Sequence, residues 1–420
     1  MVGWNWSKNI EYRASEVARP STVAELSELV AAASKAKGLG TRHSFNRVAD
    51  TSGLQIDTSQ LDLSVSVDHE RMTATVPGGW SYGAVAAALE AEGVALANMG
   101  SLPHISLAGG TATGTHGSGD TNQVLAAEVS GLELVTADGS VRRIDRSSPE
   151  LAAVAIGLGA FGVIAEMTLD VEPSYLIRQD LYVMTTWDMV LENLDQIMAS
   201  AYSVNLHCHY GTPDFRTIWQ KSRVEADAFG QPIEVDVPDM VWGARRWDTV
   251  EIEGDRLNPA TIPGPWSERL AHFTPHGEPS ARGDELQAEY FVDRGDAVVA
   301  LDALRKIGHE IDPHLRGSEI RSVKGDELWL SPCVGRDCLS IGLTFKKHPA
   351  EVHALLPKIE TALAPFEPTP HWGKLFACDR DALVDRFDRL DDFLALAAEF
   401  DPAGLFANDY LDRLSPRPRS

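Results

Sequence analysis

Residues 98–119 read NMGSLPHISLAGGTATGTHGSG, a run of small and hydroxyl-bearing residues with two histidines and no charged side chain, in a chain that is 23% charged. Small residues let a backbone approach a flat or phosphorylated ligand closely, with N–H groups left to point at anionic oxygens. The spacing fits neither G-x-G-x-x-G nor G-x-x-x-x-G-K-[ST], so it indicates neither a Rossmann nor a P-loop site. On composition alone, a Gly-rich turn between strands explains the run equally well. Two further stretches share its texture: GLGTRHSFN at 38–46, with a lone histidine in a polar turn, and GLGAFGV at 157–163. Three such loops in one region favour a ligand cradle over unrelated turns.

The chain around these loops mixes helix and strand. In PSTVAELSELVAAASKAKG, Thr22 and Glu25 form a capping box, Val23, Leu26, Val30 and Ala33 share one face, and Gly38 is placed as the stop. SYGAVAAALEAEG reads as a second helix, capped by Ser81 and terminated by Gly93. Short β-type runs, LQIDTSQ and MTATVPGG, lie between them. LELVTADGSVRRID alternates about Asp138-Gly139, a hairpin signal, and VIAEMTLDVEP reads as a strand ending at Pro173. Residues 1–175 are expected to form a first domain. From 176 to 375 the strands YSVNLHCHY, LQAEYFV and SEIRSV mark a second, interrupted by a Pro- and Gly-rich loop, LNPATIPGPWSERL. Residues 376–420 read as helical up to Pro402, and no repeat period appears. The predicted class is α+β.

A chain of 420 residues suits two or three domains and can enclose a large cleft. Its formal charge of −24, from 61 acidic and 37 basic residues, repels phosphate backbones and anionic lipid, which argues against nucleic acid as a partner. There is no signal-type apolar segment and no run of eighteen uncharged apolar residues, so the expected location is the cytoplasm, away from the membrane. Cys208, Cys333, Cys338 and Cys378 lack C-x-x-C spacing, so neither a zinc site nor a disulfide framework is expected. In LHCHY, alternation puts His207 and His209 on one face, but no further ligand is spaced to complete a metal site. No metal is expected.

GTRHSFN, NMGSLPHISLAGGTATGTHGSG, GLGAFGV, SEIRSV, PHWGK and DPAGLFAN occur in this order, over about residues 4 to 408. Together they resemble the FAD-dependent oxidases of the vanillyl-alcohol oxidase family and, within it, the alditol oxidase (xylitol oxidase) branch. The resemblance implies an FAD-binding domain over 1–175, to which 376–420 returns, and a substrate or cap domain over 176–375 with an antiparallel sheet flanked by helices. It implies a covalent bond from His43 to the flavin 8α-methyl group, with Gly40, Thr41, Arg42 and Ser44 around it. Gly100, Ser101, Ser106, Gly109, Thr113, Gly114, Thr115 and His116 would wrap the cofactor from the long run, and Gly159, Gly162 and Val163 from the third loop. The implied reaction takes a hydride from the terminal C–OH of an alditol such as xylitol or sorbitol and passes two electrons to O2, giving an aldose and hydrogen peroxide. The oligomeric state is not fixed, and a monomer suffices.

Glu319 and Arg321 stand two apart in SEIRSV and so point the same way. Such a pair suits a row of hydroxyls, and a surface ion pair fits the same spacing. Lys374 in PHWGK matches the family's active-site lysine, a point charge for a developing alkoxide whose pKa falls on burial. By the same resemblance Ser101 sits beside the flavin edge, while Gln287 and Thr344 line the polyol pocket. One departure stands out: relatives carry a histidine two residues before this threonine, where this chain has Gly342. The base is then Lys374 alone or His371, or the substrate differs in shape. Gly100 leaves room for O2, which favours an oxidase, although a tight turn also calls for glycine. Two other readings compete. One is a sugar-1,4-lactone oxidase or dehydrogenase of the gulonolactone-oxidase type, which shares the E-x-R strand and H-W-x-K segment. The other is a carbohydrate- or flavin-binding protein without turnover.

Overall fold

Thr22 Oγ1 accepts the Glu25 N–H at 3.1 Å, and the Glu25 carboxylate accepts the Ser21 N–H at 2.7 Å, so helix α1 (Val23–Ala32) begins where its capping signal lies. The computed structural model describes residues 2–227, 230–234, 236–247, 259–275, 277 and 283–415. Helix α1 buries Leu26 and Val30 and stops at Ala32, well before Gly38. The reason is tertiary: Ala36–Gly38 form strand β2, which pairs in parallel with β3 (Leu54–Ile56), and β3 pairs in parallel with β1 (Glu16–Ala18). A small core of Leu26, Val30, Ala36 and Ile56 closes over this sheet and takes Leu405 and Phe406 from the C-terminal tail.

An antiparallel sheet follows, in the order β4 (Ser66–Asp68), β5 (Thr73–Pro77), β8 (Val163–Asp170), β6 (Val129–Val135), β7 (Val141–Asp145). The turn at Asp138-Gly139 joins β6 to β7, with Gly139 at φ 81° as that turn requires. Helix α2 (Tyr82–Ala91) is capped by Ser81 and ends before Gly93, φ 73°. A short helix α3 (Leu107–Ala112) lies within the long small-residue run.

The second half is dominated by one large antiparallel sheet. Its central strands are β9 (Leu176–Thr186), β10 (Ser203–Cys208), β11 (Asp214–Val224), β12 (Glu285–Asp293), β13 (Leu315–Val323) and β14 (Cys338–Lys346), ordered β9-β11-β10-β13-β14-β12. Helices α4 (Ala297–Lys306) and α5 (Pro349–Leu363) pack on β12, where the Tyr290 hydroxyl donates to Glu360 of α5. The opposite face turns toward the Gly-rich loops. Residues 257 and 258 of the expected Pro/Gly loop lie outside the described residues. Beyond them, Gly264–Pro265 pair with β9, and Trp266–Arg269 form a helical turn that buries Trp266 completely. The architecture is α+β.

The tail is not one helix but three, at Arg380–Val384, Leu390–Phe400 and Asp409–Leu414. A turn at 386–389 lets Phe387 and Leu390 both reach the core. Phe393 and Phe400 then pack edge-on against Phe161 of the third Gly-rich loop. Asn408 caps the last helix through Leu411 N–H, and its amide donates to the carbonyls of Arg47, Val48 and Asp50.

Candidate active site

The turn 40–44 is held by the chain it faces. A Cβ at Gly40 would collide with Ser106 Oγ, and one at Gly109 would lie 2.6 Å from the same atom, so both glycines are needed for this close approach. Thr41 Oγ1 accepts the Ser106 N–H at 3.1 Å and lies 3.1 Å from His43 Nδ1. Arg42, in the left-handed region at φ 66°, then swings His43 over the cavity. The ring stacks on Trp6 at 5.1 Å, and Nε2 is buried without a partner. Burial lowers the His43 pKa to about 4, with the charges of His104 and Lys374 adding to it, so the imidazole is neutral at pH 7.

Within the long run, the N–H groups of Leu107, Ala108 and Gly110 are already taken by the carbonyls of Trp80, Gly78 and Ser106. At these three positions the amides are spent on the chain itself, and the neighbouring glycines serve close approach. Gly100 has no positive φ, and a Cβ on it would meet Thr115 Cγ2 at 3.4 Å, ordinary contact. No turn therefore demands glycine at this position.

The large sheet supplies the other wall. Lys374 is half-buried beside Gln287, to whose side-chain oxygen its ammonium donates, and its Nζ lies 5.2 Å from the Phe45 ring centre. Desolvation lowers its pKa, against the opposing pull of Glu289 and Glu285. His371 Nδ1 accepts the Gly373 N–H at 3.0 Å, and burial brings its pKa to about 3. A neutral ring used this way carries its proton on Nε2 and cannot take another there. In this arrangement His371 presents no free lone pair to the cavity.

Arg321 and Glu319 share one face as expected, with Nε and Oε2 3.9 Å apart, but the tight partner of Arg321 is Glu289, at 3.0 Å. Glu289 Oε1 also meets His116 Nε2 at 2.9 Å and Ser340 Oγ at 2.7 Å. Burial pushes this carboxyl up, but His116 and Arg321 outweigh it and hold Glu289 well below the usual carboxylate range. Arg321 Nη1 reaches Ser101 Oγ at 3.3 Å, tying this network to the Gly-rich run.

These elements enclose one cavity of about 780 Å3. It brings together His43 with Gly40, Thr41, Arg42 and Ser44, the run residues Gly100, Ser101, Ser106, Gly109, Thr113, Thr115 and His116, and Gly159, Gly162 and Val163 of the third loop. From the sheet side come Gln287, Glu319, Arg321, Thr344, His371 and Lys374. Gly114 is the exception: it does not line the cavity, and its φ of 71° against Pro332 explains the glycine. Glu289 was missed, although ELQAEY carries it two residues after Gln287 and hence on the same face. His207 and Trp219 also line the cavity. Among the described residues, no group of three or more His, Cys, Asp and Glu side chains could hold a metal ion.

Comparison with known proteins agrees with this geometry. Residues 14–145 match the FAD binding domain family, and residues 285–414 match the D-arabinono-1,4-lactone oxidase family. Over 419 residues, 97% of each chain, the sequence is 41% identical to the alditol oxidase of Streptomyces sp. (strain IKD472 / FERM P-14339). The chain belongs to the alditol oxidase family of flavoproteins. A more distant relative is L-gulono-1,4-lactone dehydrogenase of Mycobacterium tuberculosis, 27% identical over 98% of each chain. The fold is that of cholesterol oxidase from B. sterolicum, with a TM-score of 0.79 at 15% identity over 99% of this chain and 96% of that one. As a member of the alditol oxidase family, the chain is an FAD-dependent oxidoreductase. The cavity suits that cofactor: it is large, its glycines permit close approach, and it presents the orphaned Nε2 of a neutral histidine. No helix among the described residues is long and apolar enough to cross a membrane.

Proposed function

We propose that this FAD-dependent enzyme oxidises the terminal C–OH of an alditol such as xylitol or sorbitol to the aldose, with O2 as electron acceptor and hydrogen peroxide as the second product. The observation that carries this reading is Lys374, a half-buried lysine of lowered pKa facing a cavity walled by Gln287, Thr344, Glu319 and Arg321. Bound along the Gly-rich loops, FAD supplies the hydride acceptor. Lys374 takes the hydroxyl proton as the carbon becomes a carbonyl, because His371 has no lone pair free for it and position 342 carries no side chain. Gln287, Thr344, Glu319 and Ser101 pair the remaining hydroxyls, and Arg321, fixed by Glu289, supplies positive charge beside them.

We assign the loops around His43, the 98–119 run and residues 159–163 to holding FAD, and His43 to a covalent bond with it, formed through an imidazole that is neutral and therefore nucleophilic. Gly100 leaves space for O2 at the cavity wall, where nothing else demands a glycine. We divide the chain at 175 and 375 into an FAD-binding region, a substrate region and a returning tail. Four unpaired cysteines suit a reducing cytoplasm. A non-catalytic binding protein is disfavoured, since it would leave a lysine of lowered pKa in the cavity without a task.

A second reading, oxidation of a sugar-1,4-lactone, draws on the match of residues 285–414 to D-arabinono-1,4-lactone oxidase. Peroxide release in air with xylitol and sorbitol, against gulono-1,4-lactone, tests the choice. Release with the polyols supports the first reading, and release with the lactone alone overturns it in favour of the second.

A further inference from the structure

At the Lys374 end of the cavity Lys374 bonds Gln287, and Glu289 bonds Arg321, His116 and Ser340. Two ring nitrogens at the other end have no such partner. His207 Nε2 and Trp219 Nε1 are both buried without a hydrogen-bond partner, and both residues line the cavity with their ring centres 4.6 Å apart. A buried polar atom left unpaired costs about 1–3 kcal/mol, a cost removed when a ligand completes the bond.

The sheet register places this end relative to the chemistry. His207 stands opposite Glu319, Glu319 opposite Gly342, and Gly342 opposite Glu289, so the four share one face across β10, β13, β14 and β12. Gly342 forms the floor of this row. A Cβ there would be in ordinary contact with the Glu319 backbone carbonyl at 3.4 Å and Glu289 Oε1 at 3.5 Å, so with glycine at this position no side chain stands in the row. From β10 to β12, which holds Gln287 and through it Lys374, is three strand spacings, roughly 14 Å. Long side chains reach inward from both sides of that gap. An alcohol of two or three carbons held at Lys374 fills one end only, whereas one of five or six carbons spans the row.

We propose that His207, beside Glu319, binds the hydroxyl at the far end of the polyol and so sets the preference for chain length. This rests on the polyol reading above. An imidazole nitrogen suits the task in either tautomer, because a hydroxyl both donates and accepts, and the Glu319 carboxylate accepts a second bond. Burial keeps the ring neutral, against the pull of Glu319.

The test is the ratio of kcat/KM for sorbitol to that for glycerol, in the flavin-loaded parent, His207→Phe and His207→Gln. Visible flavin absorbance confirms that each variant is folded. Loss of one hydrogen bond lowers the ratio about tenfold in His207→Phe, and His207→Gln, which keeps a donor and an acceptor, recovers part of it. An unchanged ratio in His207→Phe overturns the proposal. The same contact is read in the parent alone by removing the far hydroxyl from the substrate. A terminally deoxygenated hexitol should lose about tenfold in kcat/KM against sorbitol in the parent, with no further loss in His207→Phe. Equal kcat/KM for the two hexitols overturns the proposal without any variant. A parent that oxidises no polyol overturns the functional reading, and this proposal with it, whereas a parent active on sorbitol with an unmoved ratio overturns the proposal only.

Discussion

Glu289 Oε1 accepts from Arg321 Nη2 at 3.0 Å, although the two residues stand on strands separated by β14. The contact crosses that strand where it presents Gly342 opposite Glu289 and Ser340 opposite Arg321, so no bulky side chain intervenes. Both groups are nearly out of solvent, at 4% and 8% exposure, and a buried charge that loses its partner is left uncompensated.

Glu289→Gln should therefore lower stability by on the order of 3 kcal/mol and raise KM for the polyol, because Arg321 no longer has a fixed direction. Ser340→Ala removes one neutral donor from the same carboxylate and should cost about 1 kcal/mol. Thermal unfolding and steady-state kinetics of the two variants check both figures. A Glu289→Gln enzyme with parental Tm and KM contradicts the role.

As a base, Lys374 works only when deprotonated, and its pKa is lowered by desolvation. Flavin reduction should then rise with pH through an inflection below the free-lysine value of about 10.4. Lys374→Met should lose roughly a hundredfold or more in reduction rate, about 3 kcal/mol of barrier, with FAD still bound, and should lose the inflection. Lys374→Arg keeps the charge but cannot deprotonate, so a slow, pH-independent Lys374→Arg separates base from electrostatic stabiliser.

The orphaned Nε2 of His43 predicts the fate of the flavin on denaturation. Acid precipitation should leave the yellow colour with the parent protein and release it from His43→Ala. Colour retained on the His43→Ala pellet would place the bond elsewhere.

Gly100→Ala should fold normally, since its Cβ meets nothing closer than 3.4 Å. The added methyl group narrows the path of O2, so reoxidation of the reduced enzyme should slow by tenfold or so while anaerobic reduction by substrate is unchanged, a difference of about 1.4 kcal/mol in one step only. Stopped-flow measurement of the two half-reactions reads this directly.

Asn408 ties the tail to the turn that follows His43 by donating to three carbonyls. Asn408→Ala loses those bonds and a helix cap, and should cost about 2 kcal/mol, visible as a lowered Tm of thermal unfolding.

The sequence showed the parts of the fold that rest on local signals. Thr22 and Ser81 cap the helices where expected, and Asp138-Gly139 turns the hairpin. Where pairing with distant chain overrides propensity, local reading failed. Ala36–Gly38 left the helix to pair with β3, and the tail bends at 386–389 so that Phe387 and Leu390 can both be buried. In the site, small-residue runs and the E-x-R alternation were legible because each is carried by neighbouring residues. The Glu289–Arg321 pair was not, because it exists only through a strand order that places β14 between them. The occupied Nδ1 of His371 was equally hidden, since it depends on the Gly373 N–H.

The most direct test of the account is an anaerobic titration of the purified protein with xylitol, followed in the visible flavin absorbance, and then readmission of air. The account predicts full bleaching by xylitol and rapid return of the colour in air. A flavin that stays oxidised with xylitol and sorbitol, yet bleaches with gulono-1,4-lactone, would contradict it.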